Sequence, residues 1–211
     1  MNIFIIGARP DGQAKVVLEI VEAEGKYRVA GFLDDDPSKQ GMVIRGVPVV
    51  GRAADMASLA QEHGVTGAIV ALGNCPVRRE FGVKIREMGL QLVSAIHPTA
   101  HIDSDVVLGD GVVISPGVCI ITGSVIGDST NILTSATIDH DNRIGAGVVI
   151  SPGVHTSGRV AIGQDVFVGT GAIFLPDAEV GAGAYVGAGA VVLRKVPAGE
   201  TWAGVPARKI R

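Results

Sequence analysis

The feature that most constrains this chain is a six-residue period that runs from Ile96 to Pro197. These residues divide into seventeen consecutive hexads with no insertion between them. The first position of a hexad is Ile, Leu, Val or Phe in every case except Thr156. The fifth position is Val, Ala, Ser or Thr in every case except Asn142. A register held over about half of the chain predicts a repeat architecture.

The period predicts short strands, joined by tight turns, that stack coil on coil as a solenoid. First-position side chains are expected to fill the interior, and the small fifth-position side chains to fit beside them. Gly, Asp, Asn and Pro cluster between these positions, where the chain has to turn. The 30 glycines and the aromatic content of only 4% fit such a tightly stacked backbone.

The first 95 residues have a different organisation, in which apolar strands alternate with helical spacing. Strands are predicted for the segments NIFIIG, YRVAGFLDDD, VPVVG, TGAIVALG and LQLVSAI. Helices are predicted for QAKVVLEIVEAEG, RAADMASLAQEHG and PVRREFGVKIREMG. This order predicts a Rossmann-like α/β domain with a parallel sheet over residues 1–95. The repeat domain then covers 96–197, and a tail covers 198–211.

Ligands of such sheets bind beyond the carboxyl ends of the strands. Three segments are predicted to meet there, at residues 7–12, 34–36 and 73–78. The first segment is not GxGxxG, because Arg9 stands at the middle glycine, and no GK[ST] follows it, so ordinary NAD or ATP binding is disfavoured. Asp34 and Asp35 suit hydrogen bonds to a base or a ribose, but a solvated acidic turn before Pro37 fits equally well.

Composition excludes several other classes of partner. The net charge is −3 and the 18 Lys and Arg residues are scattered, so nucleic acid is not expected to bind. No apolar run approaches the length of a membrane span, and no signal peptide is predicted. Cys75 and Cys119 have no zinc-site spacing, which fits a reducing compartment. We therefore expect a cytoplasmic protein with neither membrane nor nucleic-acid partners.

Several segments together resemble one known family of proteins. The α/β unit, FLDDD, GNCPVR, IDHDNRIG and the terminal WAGVPARKIR resemble the bacterial sugar acetyltransferases of the sialic acid O-acetyltransferase type, a group that includes N-acetyltransferases of UDP-4-amino sugars and GDP-perosamine. The resemblance implies a left-handed parallel β-helix with three hexads per coil. It also implies acetyl-CoA as co-substrate, a sugar or nucleotide-sugar acceptor, no metal, and a homotrimer with acetyl-CoA between neighbouring chains.

The same resemblance assigns site residues. His140 matches the family's general base, since imidazole is suited to proton removal near neutral pH. Asp141 is the nearest residue to orient the ring, with Asp139 as the alternative. The residues implied to bind the sugar nucleotide are Arg9, Pro10, Asp11, Asp34, Asp35, Gly73 and Arg78. The positions implied for acetyl-CoA are Val149, His155, Gly158, Thr170, Ala188 and Arg208.

Two departures from the family pattern affect these assignments. Arg9, Pro10 and Asp11 replace the middle of the usual GxGGHG turn, which leaves the identity of the sugar and nucleotide open. Val149 stands where some members have a second histidine that contacts acetyl-CoA. His155 is the candidate to supply that contact instead. A repeat of eighteen residues per coil is further expected to place Thr122 and Gly158 on either side of His140.

Two other functions were weighed. A zinc lyase of the γ-carbonic anhydrase kind needs three histidine ligands, and the spacings of His97, His101, His140 and His155 do not match its arrangement. A non-catalytic sugar-nucleotide-binding protein with the same fold is the second alternative, against which the His140–Asp141 pair argues. The choice between amine and hydroxyl acceptors is left open by the sequence.

Overall fold

The computed structural model describes residues 1–211, which form two compact units, Met1–His97 and Pro98–Arg211. The first unit contains a six-stranded sheet with the strand order β3-β4-β2-β1-β5-β6. Its strands are β1 (Asn2–Ile6), β2 (Arg28–Leu33), β3 (Val43–Ile44), β4 (Val47–Gly51), β5 (Gly67–Val70) and β6 (Gln91–Leu92). Its helices are α1 (Gln13–Glu24), α2 (Met56–Glu62) and α3 (Cys75–Glu87), and a short strand β7 (Ala95–Ile96) follows.

The predicted α/β order is confirmed, because each apolar run forms a strand and each amphipathic run a helix. β1 lies between β2 and β5 and pairs with both in parallel, so Ile3 to Ile6 are buried on both faces. The strand β3 was not predicted. β3 pairs with β4 as an antiparallel hairpin whose turn holds Arg45 and Gly46 at positive φ. The 3-10 turns Pro37–Lys39 and Ala53–Asp55 were also not predicted.

The second unit is a parallel β-helix built from two-residue strands in three sheets. Sheet 1 holds β8 (His101–Ile102), β11 (Cys119–Ile120), β14 (Thr137–Ile138), β17 (His155–Thr156), β20 (Ile173–Phe174) and β23 (Val191–Val192). Sheet 2 holds β9 (Val107–Leu108), β12 (Val125–Ile126), β15 (Arg143–Ile144), β18 (Ala161–Ile162), β21 (Glu179–Val180) and β24 (Lys195–Val196). Sheet 3 holds β10 (Val113–Ile114), β13 (Asn131–Ile132), β16 (Val149–Ile150), β19 (Phe167–Val168), β22 (Tyr185–Val186) and β25 (Thr201–Ala203).

Each strand pairs in parallel with the strand one coil later, as Cys119 does with Thr137. This confirms the predicted coil of three hexads. First-position side chains such as Ile120 and Ile138 are fully buried, as are fifth-position side chains such as Val148. From the third to the sixteenth hexad the fourth position adopts positive φ, which glycine accommodates without strain. Asp141 is one of six non-glycine residues there, with φ 59°.

The seventeenth hexad was predicted with full length, and this was wrong. β24 (Lys195–Val196) follows β23 after only Leu193 and Arg194, so the last coil is two residues short. Glu179 consequently pairs with Lys195 rather than with a residue eighteen positions later. β26 (Arg208–Lys209) then pairs antiparallel with β25 and closes sheet 3. No helix in the structure is long and apolar enough to span a membrane.

Candidate active site

The predicted catalytic residues lie in the turn 139–142, which joins β14 of sheet 1 to β15 of sheet 2. His140 Nδ1 and Asp141 Oδ2 are 2.8 Å apart. Asp139 contacts the backbone instead, because its Oδ1 accepts a hydrogen bond of 2.7 Å from the His140 N–H. Of the two candidate orienting carboxylates, Asp141 is therefore the one that contacts the imidazole ring.

The coils on either side complete this environment. Asp141 N donates to Thr122 O at 3.0 Å, and Arg159 N donates to His140 O at 3.0 Å. Thr122 and Gly158 therefore flank His140, as the repeat spacing predicts. The ring of His140 occupies the space that a Cβ atom at Gly158 would fill. A glycine at this position is thus required for the ring to lie where it does.

Arg159 provides positive charge next to this turn. Its Nε donates to Asp177 Oδ1 at 2.7 Å and its Nη2 to Asp177 Oδ2 at 3.0 Å. This bidentate pair raises the pKa of Arg159, and the charge of Asp141 adds to that effect. The same hydrogen bond lowers the pKa of Asp177. The carboxylate of Asp141 therefore lies beside a cation that is already held by another acid.

The residues predicted to contact acetyl-CoA do not form one cluster with His140 in a single chain. Thr170 and Ala188 are exposed in turns between sheets 3 and 1, whereas His140 lies between sheets 1 and 2. Val149 is buried in β16 of sheet 3. His155 is exposed in β17 of sheet 1, where its Nδ1 lies 2.8 Å from Thr137 Oγ1. Only Gly158 of the predicted set touches the turn 139–142.

The C-terminal tail forms a cationic cavity. Arg208 is exposed in β26, and its Nη1 donates to Ala207 O at 2.8 Å. It lines a cavity of about 260 Å³ together with Arg194, Lys195 and Trp202. The sequence prediction found Arg208 but missed Arg194 and Lys195. Nothing in the hexad pattern marks these two residues, because the shortened coil that brings them to the tail was not predicted.

A second cavity lies at the carboxyl ends of the strands of the α/β unit. It has a volume of about 190 Å³ and is lined by Gly7, Asp34, Asp35 and Phe81, among others. An adjacent cavity of about 280 Å³ shares Asp35 and Phe81 and adds Lys84. The sequence prediction missed Phe81 and Lys84, although both lie on the helix that follows the GN segment.

The two neighbouring acids of this cavity have different surroundings. Asp34 Oδ2 accepts from Ala8 N at 2.7 Å and from Lys39 Nζ at 2.9 Å, and its Oδ1 accepts from Asp36 N at 3.0 Å. Partial burial alone would raise the pKa of Asp34, but these three donors outweigh it and lower the pKa. Asp35 is exposed and its carboxylate makes no hydrogen bond or ion pair. Asp34 therefore holds the loop together, and Asp35 is available to a ligand.

The remaining residues predicted to bind substrate are unequally accessible. Arg9 and Asp11 form an exposed ion pair of 2.8 Å, and Pro10 between them is also exposed. Gly73 borders open space, since a Cβ there would meet nothing within 4 Å. Arg78 is fully buried, and its Nη1 donates to Leu72 O at 2.8 Å, so it braces the loop from beneath. No group of three or more His, Cys, Asp or Glu side chains is arranged to hold a metal ion.

Comparisons with known proteins agree with both units. The family model described as the PglD N-terminal domain matches residues 2–85. The model described as bacterial transferase hexapeptide (six repeats) matches residues 159–194. A search of curated proteins gave no significant match.

Several solved structures match over nearly the whole chain. A histidine-to-asparagine variant of perosamine N-acetyltransferase from Caulobacter crescentus, in complex with CoA and GDP-perosamine, is 39% identical, with a TM-score of 0.94, covering 100% of this chain and 97% of that one. The acetyltransferase domain of PglB from Neisseria gonorrhoeae, in complex with acetyl coenzyme A, is 38% identical, with a TM-score of 0.91 and coverages of 99% and 98%. WeeI from Acinetobacter baumannii is 28% identical, with a TM-score of 0.88 and full coverage of both chains.

The agreement therefore extends over both units in their order along the chain, at identities from 28% to 39%. The His140–Asp141 turn, the hexad coils and the α/β unit all belong to one continuous match. This chain is a member of the hexapeptide-repeat sugar acetyltransferases that carry a PglD-type N-terminal domain.

Proposed function

We propose that this protein transfers the acetyl group of acetyl-CoA to the amino group of a nucleotide-linked amino sugar, with His140 as general base. The observation that carries the proposal is the His140–Asp141 pair, at 2.8 Å, on a ring that lies against Gly158. The amine acceptor is supported by the GDP-perosamine complex of the 39% identical N-acetyltransferase. Cys75 and Cys119 form no disulfide, which fits a cytoplasmic enzyme.

The proposed step is an aminolysis of a thioester. The neutral amine attacks the thioester carbonyl, a C–N bond forms and the C–S bond breaks, and CoA leaves as the thiol. With Asp141 accepting from Nδ1–H, the Nε2 atom of His140 is the acceptor for the proton that the amine loses. The carboxylate of Asp141 then stabilises the imidazolium, and the proton passes on to the leaving sulfur.

The acceptor is proposed to bind the α/β unit. The free carboxylate of Asp35 and the adjoining ring of Phe81 line the cavities at the strand ends, where nucleotides bind in open α/β sheets. The carboxylate suits the N–H groups of a base or the hydroxyls of a ribose. Arg194, Lys195 and Arg208 are proposed to face phosphates of acetyl-CoA, because cations suit that charge.

We further propose a homotrimer, because two of the proposed cofactor residues lie on a different corner of the chain from the proposed base. Thr170 and Ala188 lie between sheets 3 and 1, and His140 lies between sheets 1 and 2. Closed cyclic symmetry brings unlike corners of neighbouring copies together. Light scattering is expected to give three times the mass of the chain, and a fully active monomer would contradict this assembly.

The proposal is tested by release of the CoA thiol from acetyl-CoA in the presence of GDP-, UDP- and dTDP-linked amino sugars. Turnover is expected with at least one of them, and mass spectrometry should show an added acetyl group on nitrogen. An acetyl group found on oxygen would show that the acceptor is a hydroxyl and not an amine. Binding of a nucleotide sugar without thiol release would favour a non-catalytic binding protein.

In the same assay, His140→Ala is expected to lower kcat by about 10²- to 10⁴-fold, the usual contribution of a positioned base. The matched control is His101→Ala, because His101 Nε2 also contacts a carboxylate, at 3.0 Å from Asp103 Oδ1, on the same β-helix. That variant should keep wild-type kcat. Near-normal turnover by folded His140→Ala would overturn the base assignment.

A further inference from the structure

The two exceptions to the hexad pattern lie directly beneath the catalytic turn. Thr156 is the one first-position residue without an aliphatic or aromatic side chain, and Asn142 is the one fifth-position amide. Both are buried, with exposures of 5% and 0%. Their side chains form hydrogen bonds to the backbone of residues 137, 139, 140 and 157. The departures from the repeat pattern are thus concentrated at one turn.

Asn142 ties the catalytic turn to the next coil. Its Nδ2 donates to Asp139 O at 2.7 Å and to Ser157 O at 3.0 Å, and it lies 3.2 Å from His140 O. Ser157 directly precedes Gly158, against which the imidazole ring lies. One amide therefore fixes the separation between the backbone that carries the base and the backbone that accommodates its ring.

Thr156 binds the backbone N–H of Asp139, the residue whose carbonyl Asn142 binds. Its Oγ1 accepts from Asp139 N at 3.2 Å, while Ser124 Oγ donates to Asp139 O at 2.9 Å. The backbone of Asp139 is thus held at both its N–H and its carbonyl. Its carboxylate in turn accepts from the N–H of His140. Hydrogen bonds from the interior therefore fix the residue that orients the backbone of His140.

Packing alone does not explain these residues. The Oδ1 atom of Asn142 is buried and has no hydrogen-bond partner, which is unfavourable compared with a valine. Valine, alanine, serine or threonine occupies this position in all the other hexads. A buried residue that departs from the repeat pattern and leaves one of its polar atoms unpaired is expected where function requires it.

We infer that Asn142 and Thr156 are positioning residues that hold His140 in register with Gly158. The inference rests on the proposed role of His140. It predicts that restoring the repeat pattern at either position lowers turnover, whereas loss of an interior hydrogen bond elsewhere in the β-helix does not. Neither side chain reaches the surface, so binding of both substrates should change little.

The test compares Asn142→Val and Thr156→Val with Thr130→Val. Thr130 is also a buried fifth-position residue, and its Oγ1 donates to Gly145 O at 2.9 Å in a turn without candidate catalytic groups. Asn142→Val and Thr156→Val are expected to lower kcat about 10- to 100-fold at unchanged KM, as for a small misplacement of a catalytic group. Each of these variants, like Thr130→Val, leaves backbone groups without a hydrogen-bond partner and is expected to lower Tm. Thr130→Val should keep wild-type kcat.

A conservative variant separates hydrogen bonding from packing. Thr156→Ser keeps the hydroxyl and removes a methyl group, whereas Thr156→Val does the reverse. Thr156→Ser should therefore lower Tm but retain kcat. If Asn142→Val does not fold, this pair of Thr156 variants decides the question alone.

The outcomes distinguish this inference from the proposed function. Loss of activity in His140→Ala together with wild-type kcat in Asn142→Val and Thr156→Val would overturn the positioning role and leave the function intact. An equal loss in Thr130→Val would also overturn it, because removal of any interior hydroxyl would then have the same effect. Unchanged turnover in His140→Ala would refute the proposed function itself.

Discussion

The repeat unit and the α/β unit both bury aliphatic side chains, but they place their polar side chains by different means. In the β-helix the location of a side chain follows from its position in the hexad, and fourth-position residues such as Asp141 share one backbone conformation. In the α/β unit the loop at the strand ends is set by individual contacts. Asp34 and Asp35 are adjacent, yet one is hydrogen bonded by three donors and the other by none. The position of a residue in the sequence therefore predicts the location of its side chain well in the β-helix and poorly in the α/β unit.

The strongest test of this contrast in the repeat unit is Gly158→Ala. A Cβ atom there would occupy the space of the His140 ring, which lies at the free end of a side chain and can rotate away. We expect a fall in kcat of about 100-fold, because a displacement of about 1 Å has that effect on a positioned group. Tm should change little. Unaltered kcat would show that the hexad geometry does not fix the ring.

In the α/β unit, the variant Asp35→Ala tests whether the acid without hydrogen bonds binds the ligand. This change removes a free carboxylate that lines both cavities, and it should raise the KM of the nucleotide sugar about 10-fold, as expected for a lost charged hydrogen bond. The KM of acetyl-CoA and the Tm should stay unchanged. Weaker acetyl-CoA binding with an unaltered acceptor KM would show that Asp35 does not belong to the nucleotide-sugar site.

Asp34→Ala should act on stability instead. It leaves the buried N–H of Ala8 without its acceptor, which costs about 1–3 kcal/mol in the free energy of unfolding. Because the pKa of Asp34 is lowered on folding, its contribution is present above the ordinary aspartate value of about 4 and is lost as the pH falls through the lowered value. Denaturant unfolding at pH 7 and at pH 2.5 measures this. An equal difference between wild type and variant at both pH values would contradict the assignment.

The smallest effect is expected for His155→Ala. Its ring is exposed on sheet 1, between the corner that holds His140 and the corner that holds Thr170. If it supplies the contact absent at Val149, the KM of acetyl-CoA should rise about fivefold, as for one hydrogen bond, with kcat unchanged. Steady-state kinetics decide this, and an unchanged KM would mean that the side chain is merely solvated.

The sequence alone determined the hexad register and the order of the α/β elements. Its resemblance to the sugar acetyltransferases implied three hexads per coil, and with them the flanking of His140 by Thr122 and Gly158. These features are accessible because a strand, a helix or a hexad turn is specified by a few neighbouring residues. The shortened last coil escaped prediction, because Leu193 and Arg194 keep an acceptable hexad pattern while the strand forms two residues early.

The tertiary structure decided which polar side chains are free and which are used. It buried Arg78 beneath the strand-end loop, committed Asp34 to Ala8 and Lys39, and directed Asn142 to the backbone of the catalytic turn. It also separated Thr170 and Ala188 from His140 on different corners of one chain. The physical reason is that a polar group acquires its role from partners many residues away, such as Ala8 for Asp34 or Ser157 for Asn142. Hydrophobic periodicity records which face is buried, but it does not record which donor meets which acceptor.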